Sequence, residues 1–383
     1  MMIEAFQIDI PDADLRDLHD RLAATRWPGP ALSPAWEDGS DLVFMKRLAA
    51  HWGDGFDWRA QERRLNALPQ FMAALDGQDI HFVHARGEGP SPMPLILTHG
   101  WPGSFLEFEQ ILPLLTHPSR FGGDAADAFD IVIPSLPGFG FSPAATRSGT
   151  SPRRIAGLWV ELMRGLGYGR FGVQGGDIGA GVSVWAARLF PEAVAAIHLN
   201  YIPGSYQPPL SPEAAPLSRE EAAFQLTAAD WSKAEGAYAH IHATRPQTLA
   251  YVLTDSPIGL AAWLIEKSQS WSDCDGNLER VFDLDHLLTT LSLYWFSGAA
   301  GDAVRIYKEG ALDPLVFHHG ERITSPLSVA LFPRELPMPP RSWVERVFDV
   351  RRWTVMPAGG HFAAAEQPRV LAEDIRAAMR TVR

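Results

Sequence analysis

The sequence predicts an α/β fold: a doubly wound sheet with a mostly helical cap and a wrapping N-terminal segment. Three observations predict it. Short apolar runs closed by Gly or Pro recur from about Gln78 onward, as in strands buried on both faces of a parallel sheet. Segments with apolar residues at helical spacing alternate with them. Between two of the runs the alternation lapses for about a hundred residues, too many for a loop.

Residues 1–77 form the wrapping segment, rich in Trp, Pro and charge, with no run of βα units. A helix is expected there over 12–24, stopping before Trp27-Pro28. The first part of the core is 78–201, with strands expected at 80–85, 94–98, 129–134 and 171–174. Between the last two, Ser151 can cap a helix, Pro152 suits its first turn and Gly167 can end it. Its apolar residues Ile155, Leu158, Trp159, Leu162, Met163 and Leu166 fall on one face. Another helix, 178–190, leads into a strand at 194–200. Residues 202–315 are mostly helical, carry Trp231, Trp263, Trp271 and Trp295, and read as a cap over the C-terminal ends of the strands. The core resumes over 316–383, with strands at 327–332 and 353–357 and a closing amphipathic helix at 368–379.

The bulk composition excludes several function classes. A net charge of -12 with no cluster of Lys and Arg argues against a nucleic-acid partner. A single cysteine, Cys274, rules out an intrachain disulfide and a Cys-rich metal site. The histidine pairs His81/His84, His240/His242 and His318/His319 have no acidic or Cys cluster beside them, so neither metal nor cofactor is expected. The acidic start lacks an apolar h-region, and the longest apolar runs, such as 259–265, fall far short of the roughly 20 residues of a spanning helix. A soluble cytoplasmic protein with no membrane partner is expected.

The central motif is Phe171-Gly172-Val173-Gln174-Gly175-Gly176-Asp177-Ile178-Gly179-Ala180-Gly181. A β-run passes straight into a glycine-flanked residue and on into a helix, the context of a nucleophile elbow. The turn is too tight for side chains two residues either side of the nucleophile, which explains Gly175 and Gly179. A helix N-terminus there favours negative charge and presents free N–H groups. Asp177 stands where an esterase has Ser or Cys. A carboxylate attacking sp³ carbon forms an ester that water can cleave, whereas serine would form an inert ether. Asp at an elbow therefore points to an epoxide or an alkyl halide. The competing reading is a plain helix N-cap, because Gly-Gly-Asp is common before helices.

The remaining motifs favour chemistry. Leu97-Thr98-His99-Gly100-Trp101-Pro102-Gly103-Ser104 follows a strand and can bring the N–H of Trp101 toward the elbow. With the N–H of Ile178, that makes two donors for an oxyanion. Trp101 and Ile178 are also expected to contact substrate. His99 is read as a brace for its loop, and Leu136-Pro137-Gly138-Phe139-Gly140-Phe141-Ser142 as a turn shaping the pocket floor. Late in the chain, Pro357-Ala358-Gly359-Gly360-His361-Phe362 follows a strand and offers His361 as general base. In this order the acid lies between Asp177 and His361. Glu335 occupies a suitable loop, with Asp313 and Asp283 as competitors.

These motifs resemble the microsomal-type epoxide hydrolases, in which an N-terminal epoxide-hydrolase segment precedes an α/β-hydrolase domain. The match spans nearly the whole chain. It takes in Ile10-Pro11-Asp12, Arg26-Trp27-Pro28, 99–104, 137–142 and Gly175-Gly176-Asp177. It continues through Tyr238-Ala239-His240-Ile241, 255–260, Arg305-Ile306-Tyr307-Lys308-Glu309 and Gly359-Gly360-His361-Phe362. The resemblance implies an α/β-hydrolase fold and hydrolysis of an epoxide with water to a vicinal diol. Asp177 would form an alkyl ester, and Tyr238 and Tyr307 would hydrogen-bond and protonate the ring oxygen. His361, oriented by Glu335 in its Phe-Pro-x-Glu setting, would then activate water. A homodimer is compatible with the resemblance. Many relatives carry Trp where this chain has Ile178, so the pocket wall here is smaller and aliphatic. Two alternatives share the frame: a haloalkane dehalogenase, which needs halide-binding N–H donors, and a non-catalytic ligand-binding member of the fold.

Overall fold

The computed structural model describes residues 2–202, 207–208 and 215–383. Nine strands form one mixed sheet: β1 (Ile3–Ala5), β2 (Gln70–Leu75), β3 (Gln78–Ala85), β4 (Met93–Thr98), β5 (Phe129–Pro134), β6 (Phe171–Gly175), β7 (Val194–Leu199), β8 (Ile323–Leu331) and β9 (Phe348–Val355). Their order is β1-β2-β3-β5-β4-β6-β7-β8-β9. From β5 to β9 all pairs are parallel, whereas β1, β2 and β3 join antiparallel. Every residue of β5 and β7 is buried, as expected of strands covered by helices on both faces.

The chain leaves β4 toward β5 on one side and returns to β6 on the other. That reversal opens a crevice at the strand C-termini, where α/β sheets place their ligands. Because Thr98 pairs with Gly175, the loops after β4 and β6 emerge side by side. The fold thereby brings the two glycine-rich motifs together.

The helix Pro152–Gly165 begins at Ser151, whose side chain accepts from the N–H of Arg154. It buries Ile155, Leu158, Trp159, Leu162 and Met163, each of these contributing about 1.5–3 kcal/mol when fully removed from water. Gly167 ends it with φ 93°, which a side chain would strain. Leu166, expected on the same face, is only half-buried.

Between β7 and β8 the described chain is helical: Arg219–Glu235, Ala237–Thr244, Pro246–Asp255, Pro257–Trp271, Leu284–Phe296, Ala300–Ala303 and Arg305–Leu312. The parts of the expected cap at 203–206 and 209–214 lie outside the described residues.

Residues 1–77 also carry strands that the sequence does not mark. β1 and β2 extend the sheet edge, and Asp76-Gly77 makes a two-residue hairpin turn into β3 with φ of 42° and 75°. That turn forces β3 to run antiparallel, so the run at 80–85 does not belong to the parallel part of the sheet. The same segment straps the insertion. Arg21 pairs with Asp255, His51 with Asp285, and Trp52 Nε1–H donates to Ser292 Oγ at 3.0 Å. β8 and β9 also start earlier than expected. The edge strand β9 contains Asp349, Arg351 and Arg352, which interrupt the apolar run that marks central strands. Among the described residues no single helix is long and apolar enough to cross a membrane.

Candidate active site

Asp177 is the first residue of the helix Asp177–Leu189 and has φ 45°, a left-handed conformation costly for a residue with a Cβ. Two glycines make the turn possible. A Cβ at Gly179 would lie 1.9 Å from the carbonyl oxygen of Thr98, and one at Gly175 would lie 2.4 Å from Gly179. A Cβ at Gly100 would come within 2.2 Å of Asp177 Oδ1, so the carboxylate rests directly on that glycine.

The Trp101 N–H donates to Asp177 Oδ1 at 2.9 Å. Ile178 follows in the first helical turn, where N–H groups lack intrahelical partners. On the other side, His361 Nε2 lies 3.7 Å from Asp177 Oδ2. His361 Nδ1–H donates to Glu335 Oε1 at 2.6 Å, and the same oxygen accepts from the Leu336 N–H at 2.7 Å. The two loops are fastened along their backbones, with Arg334 N–H donating to Gly359 O at 3.1 Å. Burial disfavours a charge on His361, but Glu335, Asp177 and Glu107 together outweigh it and push its pKa up to about 9. The alternative acids are engaged elsewhere. Asp283 caps the helix Leu284–Phe296, and Asp313 accepts from the Ser151 hydroxyl.

Two residues that sequence reasoning did not single out hold the histidine loop. Glu366 accepts from the N–H groups of Gly360, Phe362 and Asp273, and burial raises its pKa to about 7 despite those donors. Trp271 O accepts from the His361 N–H at 2.9 Å, and the Trp271 ring meets the imidazole edge-on, 5.0 Å between centroids. Nothing in the sequence marks either one, because each acts through a backbone contact whose partner is remote or loop-borne.

Tyr238, Tyr307, Asp177 and Ile178 line one cavity of about 610 Å³, otherwise walled largely by apolar and aromatic side chains such as Trp185, Trp231, Ile306 and Leu336. Tyr238 stacks on Trp101 with ring planes 14° apart. Burial, reinforced by the Asp177 charge, raises the pKa of Tyr238, and burial foremost raises that of Tyr307. Both therefore stay protonated donors. The Tyr307 hydroxyl is buried with no hydrogen bond of acceptable geometry, although it interacts with Tyr238 beside it. Trp101 does not line the cavity: its indole is buried beneath Tyr238, which leaves its backbone N–H as its contribution.

His99 bridges its loop to the next, its Nε2 accepting from the Leu136 N–H at 3.2 Å. The turn at 136–142 does not form the pocket floor. Gly138 abuts Asp302, Phe139 packs on His99 and Tyr294, and neither lines the cavity. His81 is satisfied by Ser135 and Gln70, and His242 Nε2 accepts from Trp263. Among the described residues no group of three or more His, Cys, Asp or Glu could hold a metal ion.

Residues 3–108 match the family model for the epoxide hydrolase N terminus, and residues 93–257 match that for the alpha/beta hydrolase fold. The chain is 36% identical to epoxide hydrolase 1 of Oryctolagus cuniculus, over 97% of this chain and 88% of the relative. Its fold is similar to the Aspergillus niger epoxide hydrolase structure, with TM-score 0.86 and 32% identity over 100% of this chain and 97% of the other. It also resembles juvenile hormone epoxide hydrolase from Bombyx mori, with TM-score 0.88 and 29% identity over 100% and 95%. An elbow aspartate facing a histidine–glutamate pair, in a chain aligned almost end to end with these enzymes, places this protein in the microsomal-type epoxide hydrolase family.

Proposed function

We propose that this epoxide hydrolase opens its substrate through a covalent alkyl ester on Asp177. The observation that carries the reading is the shared cavity: the carboxylate and two protonated tyrosines line one largely apolar space. An epoxide bound there would meet a nucleophile below and hydroxyl donors above. Asp177 attacks a ring carbon, the C–O bond breaks, and a tyrosine donates its proton to the departing oxygen. In the resting site His361 is an imidazolium paired with Asp177. Forming the ester removes the carboxylate charge that helps hold that proton. Transfer of the proton through solvent to the tyrosinate restores the phenol and leaves His361 neutral.

Neutral His361 can then take a proton from water as the water attacks the ester carbonyl. The resulting oxyanion is met by the N–H groups of Trp101 and Ile178. Collapse breaks the carbonyl–alkoxy bond, and His361 returns its proton to the alkoxide. The vicinal diol leaves, and the new Asp177 acid group re-protonates His361. Apolar walls favour lipophilic epoxides, and Ile178 leaves an aliphatic side chain beside the nucleophile.

The test uses ¹⁸O-water. Repeated turnover should place label in the Asp177 carboxylate, and Asp177→Ala should form no diol while remaining folded. Label found only in the diol, together with an active Asp177→Ala protein, would refute the ester route.

A further inference from the structure

The helix Pro257–Trp271 turns an apolar face inward, with Leu260, Leu264 and Trp271 buried at helical spacing. Lys267 occupies the remaining position of that face and is only 6% exposed. A lysine is almost never buried without a partner. Its Nζ lies 2.6 Å from Glu266 Oε2, 4.9 Å from the Tyr238 ring centroid and 5.6 Å from that of Trp271. Lys267 does not line the 610 Å³ cavity, and the mechanism above gives it no task. It nevertheless puts a charge where the helical pattern calls for an apolar side chain.

The ring beside the ammonium belongs to a tyrosine that lines the cavity with Asp177. Tyr307 lines it too, but among the described residues no cation lies over its ring. The two tyrosines are therefore unequal. Their mutual interaction is unequal as well: the Tyr307 hydroxyl favours a charge on Tyr238, while Tyr238 disfavours one on Tyr307. His242, packed against both rings, is kept neutral by burial foremost and by the charge of Lys267, so it supplies no competing cation.

Ring opening moves charge toward these tyrosines. As Asp177 bonds to the ring carbon, the C–O electron pair passes to the ring oxygen, which takes a phenolic proton. The negative charge that Asp177 loses in becoming an ester reappears on the tyrosine oxygen. Burial opposes that charge on either tyrosine. A cation fixed in advance beside the phenol offsets the cost only as the charge forms, so it favours the transition state over the bound substrate. Resting on the ester route with cap tyrosines as donors, we propose that Tyr238 gives up its proton in ring opening and that Lys267 is the positioning residue that favours the resulting tyrosinate. Tyr307 then hydrogen-bonds without ionising. Glu266 holds the ammonium in place, and its own opposing charge sits on a side chain 25% exposed, where solvent screens it. Proton transfer through solvent restores the phenol, so ester hydrolysis does not call on Lys267.

The test is rapid quench under single-turnover conditions with a styrene-oxide probe, quantifying the Asp177 ester by mass. Lys267→Met keeps the length of the side chain and loses its charge. It should slow ester formation by about 10²-fold, the scale of one lost electrostatic contact at a developing charge, and leave ester hydrolysis near the wild-type rate. Lys267→Arg keeps the charge and should recover most of that loss. Coupling supplies the readout that a structural role would not move. In a Tyr238→Phe background Lys267→Met should slow ring opening no further, whereas in Tyr307→Phe it should keep its full effect. Should Lys267→Met misfold, Lys267→Gln must show the same pattern. Unchanged ester formation, equal slowing of both steps, an arginine variant no better than methionine, or equal effects in the two phenylalanine backgrounds would each overturn the inference. If Tyr238→Phe still slows ring opening and His361→Gln accumulates ester, such an outcome refutes only the role of Lys267. Ring opening at full rate in Tyr238→Phe, or no ester even in His361→Gln, refutes the underlying reading of the site and this inference with it.

Discussion

Glu335 and His361 meet 2.6 Å apart, both with side chains almost wholly withdrawn from water. A charge-assisted hydrogen bond in such a setting is stronger than at a surface, and it fixes which ring nitrogen carries the proton. The pairing leaves Nε2 facing Asp177 at 3.7 Å, so one carboxylate orients the ring while the other waits beside it. Glu335 is itself held by the Leu336 N–H, which keeps its Oε1 from following the imidazole.

The pH dependence of stability follows from this cluster. A proton on His361 is retained in the folded state up to about pH 9, whereas an unfolded histidine loses it near 6.5. The folded state binds more protons in that window, so stability is full below about 6.5 and declines as pH rises toward 9. Glu107, raised from 4.5 to about 8, adds to the decline up to about pH 8, over the lower part of that window. The buried neutral histidines His81, His99 and His242 favour the native state as pH rises, but only up to about 6.5. Thermal melts should therefore show Tm falling between about pH 6.5 and 9, and His361→Gln should flatten that slope. A Tm that rises across the window would contradict the charge state assigned to His361.

The cap tyrosines allow activity and stability to be separated. Tyr238→Phe and Tyr307→Phe should each slow ring opening by about 10²-fold, and the double variant should nearly abolish it. Because the Tyr307 hydroxyl is buried without a well-formed hydrogen bond, Tyr307→Phe should keep or slightly raise Tm, by no more than about 1 kcal/mol of stability. Full activity in the double variant would assign the proton to another group.

Gly100 and Gly179 should fail in different ways. A methyl at Gly100 meets the side chain of Asp177, at 2.2 Å from Oδ1 and 2.4 Å from Cβ, and turning the carboxylate relieves only the first contact. Gly100→Ala should therefore lower Tm less than Gly179→Ala does but lose about 10²-fold in ester formation as the nucleophile shifts. A methyl at Gly179 meets the Thr98 carbonyl, 1.9 Å away on a buried strand. Overpacking against backbone costs about 1–3 kcal/mol or more, so Gly179→Ala should lower Tm by several degrees. Equal Tm values for the two variants would show that the elbow tolerates more backbone movement than these distances allow.

Residues whose placement depends on local sterics were legible in advance. The elbow could be read because Gly175 and Gly179 answer a steric demand within a few residues of Asp177, and the histidine loop because it follows a strand. The hairpin at Asp76-Gly77 is equally local, but the segment around it lacks the alternation that would mark its strands. β9 is longer than its apolar run because an edge strand tolerates charges that a central strand excludes.

The sequence by itself determined the α/β alternation, the strained turn at Asp177 and the chemistry that an aspartate there can perform. Those features rest on short-range periodicity and on backbone geometry that only glycine permits. Tertiary structure decided which of the candidate acids lies against His361, that the Trp101 indole is buried while its N–H meets Asp177, and that Glu366 holds the histidine loop. Each of these depends on contacts between separate segments, and the pairing of β8 with β9 sets the first of them. No local pattern encodes such contacts, because side chains of separate segments become neighbours only when the strands pair and the helical insertion closes over their C-terminal ends.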